Sequence, residues 1–160
     1  MTSTDTRAEP RWLTAEQQVS WRSFLLGSAR LTDALNRQLE AESGISLSEY
    51  EILVRLSEAA DRTIRMSELA AAVVQSRSRL THTVTRMEKQ GLVRRETCLD
   101  DGRGVNCVLT VEGYDFLVEA APGHVRAVRE NLVDLLTDEQ LTTLGQAMAV
   151  VARGPEPAGG

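Results

Sequence analysis

The apolar periodicity of this chain changes from helical to alternating at one place, and this change restricts the folds that are available to it. From Thr14 to about Gln90, helix-start signals and a 3.6-residue apolar repeat recur. The stretches LVRRETC and VNCVLT then alternate apolar and polar residues around a turn rich in Asp and Gly. The helical repeat resumes after Thr110. The pattern predicts a mainly helical α+β domain with one β-hairpin between its helices.

Helix starts are marked by capping boxes, in which Ser or Thr is followed three residues later by Glu or Gln. Such boxes begin at Thr14, Ser46 and Thr137, and Ser76 and Thr110 are further cap residues. Because proline interrupts a helix, we expect a kink at Pro122. The predicted elements are helices 14–43 and 46–59, a short β-like piece at 63–65, helices 67–74 and 77–90, the hairpin, and helices 111–136 and 137–152.

Charge is divided unevenly along the chain. The segment from Arg62 to Thr110 contains nine basic and five acidic residues, a net charge of +4, whereas the whole chain carries −5. The remainder therefore carries −9. A basic segment inside an acidic chain is typical of a protein in which one part binds a polyanion and the rest has another role.

The helix predicted at 77–90 has two different faces. At 100° per residue, Leu80, Val84 and Met87 form an apolar stripe, and the opposite face is polar and cationic. An ordinary amphipathic surface helix has a similar pattern. This one, however, follows a short helix and a tight turn, as a DNA-binding helix-turn-helix requires. The predicted DNA-binding residues are Arg77, Arg79 and His82, near bases, Ser76, Ser78 and Thr81, near bases or phosphates, and Arg86 and Lys89, near phosphates.

The turn of the hairpin carries Arg103 between two glycines, and we expect this arginine to enter a minor groove. A solvated turn with a local Asp101 to Arg103 ion pair is the simpler alternative. Cys98 and Cys107 are symmetric about the turn, so they would face each other in a hairpin without a bulge. A redox-responsive disulfide and two ordinary small side chains are both compatible with that arrangement.

The segment LAAAVVQSRSRLTHTVTRMEKQGLVRRE, with the D-G-R-G-x-x-C-V-L-T-x-x-G that follows, resembles the winged helix-turn-helix of the MarR family of bacterial transcriptional regulators. The resemblance extends from Trp12 to Ala152. It implies a single domain in which 12–45 and 111–152 are dimerisation helices and 46–110 is the DNA-binding lobe. Residues 1–11 and 153–160, which are polar or rich in Pro and Gly, are expected to be disordered tails.

The resemblance also implies a function. We expect a homodimeric repressor that binds a pseudo-palindromic operator and releases it when a small anionic or phenolic ligand enters a cleft between the dimer helices and the winged lobe. Each residue proposed for that cleft has a simpler role as a dimer-core aromatic, a solvated arginine or an interface histidine. The proposed ligand-binding residues are Trp21, Arg22, Arg30, Arg65 and His124.

Several other classes are disfavoured. The sequence has no phosphate loop, nucleophile elbow or His-carboxylate pair beside a Ser or Cys, so we expect no enzyme and no cofactor. With His82 and His124 as its two histidines, we expect no dedicated zinc site. No secretory signal or membrane-spanning apolar run is evident, so we expect a cytoplasmic protein. A winged-helix module that binds protein rather than DNA remains an alternative.

Overall fold

The computed structural model describes residues 10–97 and 104–155, so that Cys98, Asp101 and Arg103 lie outside the described residues. The described chain follows the predicted order of helices and strands. The helices are α1 (Ala15–Ser43), α2 (Leu47–Glu58), α3 (Met66–Ala72), α4 (Arg77–Lys89), α5 (Val111–Asn131) and α6 (Asp138–Arg153). The strands are β1 (Thr63–Arg65), β2 (Val93–Thr97) and β3 (Val105–Leu109), and short 3-10 turns span Ala60–Arg62 and Val133–Leu135.

The predicted cap residues start the helices. At Thr14, Ser46 and Thr137 the side-chain oxygen accepts a hydrogen bond from a backbone N–H of the first turn, and the Gln or Glu three residues later completes a capping box. Ser76 Oγ likewise accepts from the N–H of Arg79 at 3.2 Å. These bonds satisfy backbone donors that have no partner inside the helix. The sequence prediction of where these helices begin is therefore confirmed.

The sheet is antiparallel with β3 in the middle, in the order β1-β3-β2. β2 and β3 form the predicted hairpin, with Val93 opposite Leu109 and Thr97 opposite Val105. Apolar side chains from this sheet, from α2 to α5 and from one end of α1 form one core. The side chains with the least exposure are Leu39, Ile52, Leu53, Leu56, Leu69, Leu80, Val84, Met87, Val93 and Cys107.

Close packing fixes the junction between the hairpin and α5. Thr110 Oγ1 donates to the carbonyl oxygen of Gly91 at 2.7 Å and accepts from the N–H of Gly113 at 2.9 Å. A Cβ on Gly113 would overlap the carbonyl oxygen of Leu92. Only glycine therefore allows α5 to begin this close to the end of α4.

Two predicted helix ends differ from the structure. The helix expected to run to residue 136 ends at Asn131, because the backbone at Leu132 (φ −142°, ψ −64°) leaves the helical region. The helix expected to reach Val74 ends at Ala72, since Val74 has a φ of +51°. α5 continues through Pro122 as one helix.

Large apolar side chains remain exposed on the outer parts of α1 and α6. On α1, Val19 is 65% and Leu26 is 54% exposed, and on α6 Val150 is 59% and Val151 is 65% exposed. A single chain therefore leaves apolar surface of these two helices uncovered. In the described ranges, no helix combines the length and apolar character that crossing a membrane requires.

Candidate nucleic-acid interface

Helix α4 presents a buried apolar face and an exposed polar face. Leu80, Val84 and Met87 are at most 1% exposed, as the sequence pattern predicts, and Thr83 joins them with its hydroxyl bonded to the carbonyl of Arg79. The opposite face carries all the side chains predicted to contact DNA in this helix. The exposed residues are Ser76, Arg77, Ser78, Arg79, Thr81, His82, Arg86 and Lys89.

The turn before α4 is held against α2. Gln75 Nε2 donates to Ser48 Oγ at 2.7 Å, and the N–H of Gln75 donates to the carbonyl of Ala70. Val74, with its left-handed backbone and a side chain that is 91% exposed, makes the sharp reversal between α3 and α4. The recognition element is thus a short helix, a tight turn and a capped second helix.

Arg86 connects α4 to the start of α2 through a buried carboxylate. Its Nε donates to Glu49 Oε1 at 2.7 Å, and Glu49 Oε2 accepts from the N–H of Ser46 at 2.7 Å. Burial raises the pKa of the Glu49 carboxyl, but the hydrogen bonds from Arg86 and Ser46 outweigh it and hold that pKa below its ordinary value. A buried, paired carboxylate at this point fixes the orientation of α4 relative to α2.

A second ion pair connects α4 to the hairpin of β2 and β3, which is called the wing below. Arg95, on β2, donates to Glu88 from its backbone N–H at 2.9 Å and from Nη2 at 2.7 Å, and it also reaches Thr85 Oγ1 at 3.2 Å. The bonds from Arg95 hold the pKa of Glu88 below its ordinary value. Glu88, the one acidic residue of α4, is therefore paired with Arg95 of the wing, and the exposed face of the helix remains cationic.

The hairpin register corrects the expected pairing of the cysteines. Cys107 lies opposite Arg95, so it does not face Cys98 across the hairpin. Its side chain is fully buried in the core. Burial, and to a smaller extent the Glu88 carboxylate, raise the pKa of Cys107 to about 12. The nearby cation of Arg95 lowers this pKa, but its effect is smaller. Such a thiol is neutral at physiological pH and has little nucleophilic character.

A cleft of about 710 Å³ lies between α1, α2, the turn before α4, and α5. Tyr50 and His124 contact each other at its wall, with ring centroids 4.3 Å apart. Burial raises the pKa of the Tyr50 phenol and lowers the pKa of the His124 imidazole, so both rings are neutral at pH 7. Arg55 supplies a cation at the same cleft, the carboxylates of Glu51 and Glu58 also line it, and Val74 lies at its edge.

The structure separates the five residues predicted to bind an effector. Only His124 lines this cleft. Trp21 lies on α1 and stacks on Phe24, with ring centroids 6.0 Å apart. Arg65 lines a different cleft, between α4 and the wing. The other two, Arg22 and Arg30, are exposed on α1.

In the described part of the chain, no three His, Cys, Asp or Glu side chains are grouped so that they could hold a metal ion.

The same helices and wing occur in proteins of known structure. A family model described as "MarR family" matches residues 45–105. Sco3205, a MarR family transcriptional regulator from Streptomyces coelicolor whose structure was solved in complex with DNA, is 49% identical, with a TM-score of 0.89 over 94% of each chain. The chain belongs to the MarR family of transcriptional regulators. The family and the winged helix-turn-helix fold predicted from the sequence are thereby confirmed.

Two further MarR relatives fit this assignment. AbsC, a MarR family transcriptional regulator from Streptomyces coelicolor, is 45% identical over 90% of this chain and 97% of its own, with a TM-score of 0.84. The transcriptional repressor MprA of Escherichia coli is 29% identical over 70% of this chain. That match spans 63% of the length of MprA.

Sequence reasoning missed the residues that hold α4, the reading helix of this MarR protein, in place. Glu49 was identified only as part of a capping box, and Arg95 only as one of many cations. The spacing of Ser46 and Glu49 explains the cap but gives no sign of Arg86, which lies 37 residues away. For the cleft, the helical spacing of Leu47, Tyr50 and Val54 on α2 was the available signal, but the opposite wall of the cleft comes from α5.

Proposed function

We propose that this chain is a DNA-binding transcriptional regulator of the MarR family that acts in the cytoplasm as a homodimer and represses its target. The observation that carries this proposal is the exposed face of α4. It holds three arginines, a lysine and a histidine, while Glu88 is neutralised by Arg95. An α-helix with such a face fits the major groove.

Within this proposal, residues 46–110 form the DNA-binding lobe, and 12–45 and 111–152 form the dimerisation helices. The exposed apolar side chains of α1 and α6 support this division, because a second chain would cover them. A twofold dimer places two recognition helices about 34 Å apart, so the operator should be a pseudo-palindrome with half-sites about one turn apart.

The side chains of α4 have different roles in this proposal. Arg79 and His82, towards the N-terminal end, contact base edges, and Lys89, at the other end, contacts a phosphate. Arg86 uses Nε for Glu49, and its side chain is still 59% exposed, so its remaining donors are available to a phosphate. Around the helix, Ser76, Ser78 and Thr81 supply hydroxyls. Arg103, outside the described residues, enters the minor groove.

The effector in this proposal is a small aromatic acid or phenol that binds in the cleft beside Tyr50 and His124. Arg55 can pair with a carboxylate, and the two neutral rings can stack on an aromatic ring. His124 Nδ1 is buried and has no hydrogen-bond partner among the described residues. A ligand in this cleft would touch α2, α5 and the turn before α4, so it can shift the angle of the reading helix. Trp21, Arg22 and Arg30 lie on α1, and their role in effector binding stays a prediction.

Fluorescence anisotropy tests DNA binding. A labelled duplex from the region upstream of the gene and a scrambled duplex of equal length are titrated with the protein at several salt concentrations. We expect Arg79→Ala to weaken binding mainly on the upstream duplex, whereas Lys89→Ala weakens binding to both and lowers the salt slope by about 1. Equal losses on both duplexes for Arg79→Ala would remove its base-contact role. Failure of the unchanged protein to bind either duplex at low salt would contradict the proposed function.

Benzoate and phenol serve as probes of the cleft. We expect millimolar benzoate to raise the melting temperature of the unchanged protein and to lower its affinity for the upstream duplex. Arg55→Ala should abolish the benzoate effect, and the control Arg37→Ala, on the exposed side of α1, should retain it. An unchanged benzoate response in Arg55→Ala would place the effector elsewhere.

A further inference from the structure

Arg65 lies beside the reading helix rather than in the cleft proposed for the effector. It is the last residue of β1, opposite Asn106 of β3, and its side chain is half-buried. It lines a surface cleft of about 400 Å³ between α4, the start of α3 and the wing. Arg77 and Thr81 of α4 line the same cleft from the other side.

The wing is shaped to receive the guanidinium of Arg65. An ideal Cβ placed on Gly104 would lie 2.7 Å from Arg65 Nε and 2.8 Å from Arg65 Cζ, and closer still to Nη2. The guanidinium therefore rests directly on the backbone of the wing, in space that any side chain at position 104 would take. Gly104 does not have a positive φ, so an alanine can adopt its backbone. The glycine is needed for the space and not for its conformational freedom.

The chemistry of this cleft matches an oxyanion. Two guanidiniums, from Arg65 and Arg77, and the hydroxyls of Ser67 and Thr81 line it. Guanidinium groups bind phosphate through paired N–H donors, and two of them on one cleft favour a polyanion over a neutral partner. Arg77 also belongs to the face of α4 that is proposed to enter the major groove. A DNA strand that borders that groove would pass between α4 and the wing, over this cleft.

We propose that Arg65 and Arg77 bind the phosphate backbone of the operator in this cleft, and that Gly104 is a positioning residue that seats Arg65 there. This inference rests on the proposed DNA-binding function. It gives Arg65 a role at the DNA in place of the effector-binding role that the sequence suggested. The contact is independent of base sequence, because a phosphate carries no sequence information.

Salt titrations of Arg65→Ala on the upstream and scrambled duplexes test the contact. We expect affinity to fall by roughly tenfold on both duplexes, and the slope of log K against log salt to become shallower by about 1. Arg37→Ala, which removes an exposed arginine of α1, is the matched control and should leave affinity and slope unchanged. Far-UV circular dichroism and melting temperature check that each variant is folded, and the uncharged Arg65→Gln replaces Arg65→Ala if the latter unfolds.

Gly104→Ala tests the positioning role without removing a charge. Because the added methyl group meets only the end of a flexible side chain, the fold should accommodate it by moving the guanidinium. We expect the variant to keep its melting temperature and to show the same loss on both duplexes as Arg65→Ala. The double variant should lose no more than Arg65→Ala alone, since both changes act on one contact.

Each outcome separates the two proposals. If the unchanged protein binds neither duplex, the proposed function fails and this inference fails with it. If the unchanged protein binds DNA and Arg65→Ala binds equally well, or loses affinity only on the upstream duplex, the phosphate contact is wrong and the proposed function stands. If Arg65→Ala loses affinity and Gly104→Ala does not, Gly104 has no positioning role.

Discussion

Arg86 Nε, on the reading helix, donates a 2.7 Å hydrogen bond to Oε1 of Glu49, a carboxylate that is 3% exposed at the start of α2. The same carboxylate closes the capping box of α2. One side chain therefore stabilises a helix start and positions the helix that reads DNA. Removal of Glu49 should affect both.

We expect Glu49→Ala to lower the free energy of unfolding by about 1–3 kcal/mol, because it removes the cap bond to Ser46 and leaves Arg86 without its partner. Urea denaturation at one fixed protomer concentration measures this change. Glu58→Ala, at an exposed position of the same helix, is the control and should change stability by less than about 0.5 kcal/mol. Equal effects of the two substitutions would show that neither the cap bond nor the Arg86 bond contributes to stability.

Acidification should remove the contribution of Glu49. Its pKa in the folded protein lies below the ordinary value of a glutamate, about 4.3 in the unfolded chain. The stability that it contributes is therefore fully present above about pH 4.3 and is lost as the pH falls through the folded-state pKa. We expect the stability difference between the unchanged protein and Glu49→Gln to be larger at pH 6 than at pH 3. A difference that is constant with pH would contradict this prediction.

Gly113→Ala should destabilise the protein by about 1–3 kcal/mol, because the new methyl group would overlap the carbonyl of Leu92 and lie 2.9 Å from Leu109 Cδ1. Neither the backbone of Leu92 nor the buried Leu109 can move freely. Thermal unfolding compares this variant with Gly104→Ala, whose added methyl meets only a movable arginine. If the two alanine variants melt at the same temperature, the junction at α5 is looser than its packing indicates.

Val74 carries backbone strain that another residue could avoid. A β-branched residue at a φ of +51° is unfavourable, whereas asparagine tolerates this region, and the side chain of Val74 is 91% exposed. We expect Val74→Asn to raise the free energy of unfolding by about 1 kcal/mol, measured by urea denaturation. Val111→Asn, at an exposed helical position, should give no such gain. If the Val74→Asn protein is more stable but binds benzoate more weakly, the strained valine contributes to ligand binding in the cleft beside Tyr50 and His124.

Cys107 should be inert to thiol reagents in the folded protein. In a Cys98→Ser background, we expect Cys107 to react with a disulfide reagent only after urea unfolds the chain, because its thiol is buried and its pKa is about 12. Stopped-flow absorbance follows the reaction. Rapid stoichiometric labelling of the native protein would restore the redox interpretation of the hairpin cysteines.

The sequence could predict those parts of the fold that depend on local signals. The capping boxes, the apolar stripe of Leu80, Val84 and Met87, and the hairpin all follow from residues within about one element of each other, and all were predicted correctly. The register of the hairpin could not be predicted in this way. It depends on which strand residues reach the core, and Cys107 does so opposite Arg95 rather than Cys98.

The candidate site shows the same limit. The exposed cations of α4 follow from helical geometry, since that face is the one left when the apolar stripe is buried. The partners of Arg86 and Glu88 come from other elements, and tertiary packing brings them together. The sequence also grouped Arg65 with Trp21, Arg22 and Arg30, whereas β1 ends beside the wing and not beside α1, so that the structure places Arg65 apart from the other three.

The bonds from Arg95 to Glu88 and Thr85 have a consequence for how such a protein can change its target. They join β2 to α4 through two nitrogen atoms of one side chain and through its backbone N–H, so the wing and the reading helix tilt together. If the wing contacts the minor groove as proposed, an operator with a different spacing between major-groove and minor-groove contacts cannot be matched by bending the hairpin alone. Related proteins that keep this arginine should therefore have the same angle between hairpin and helix. They should differ in which side chains are exposed on the reading helix.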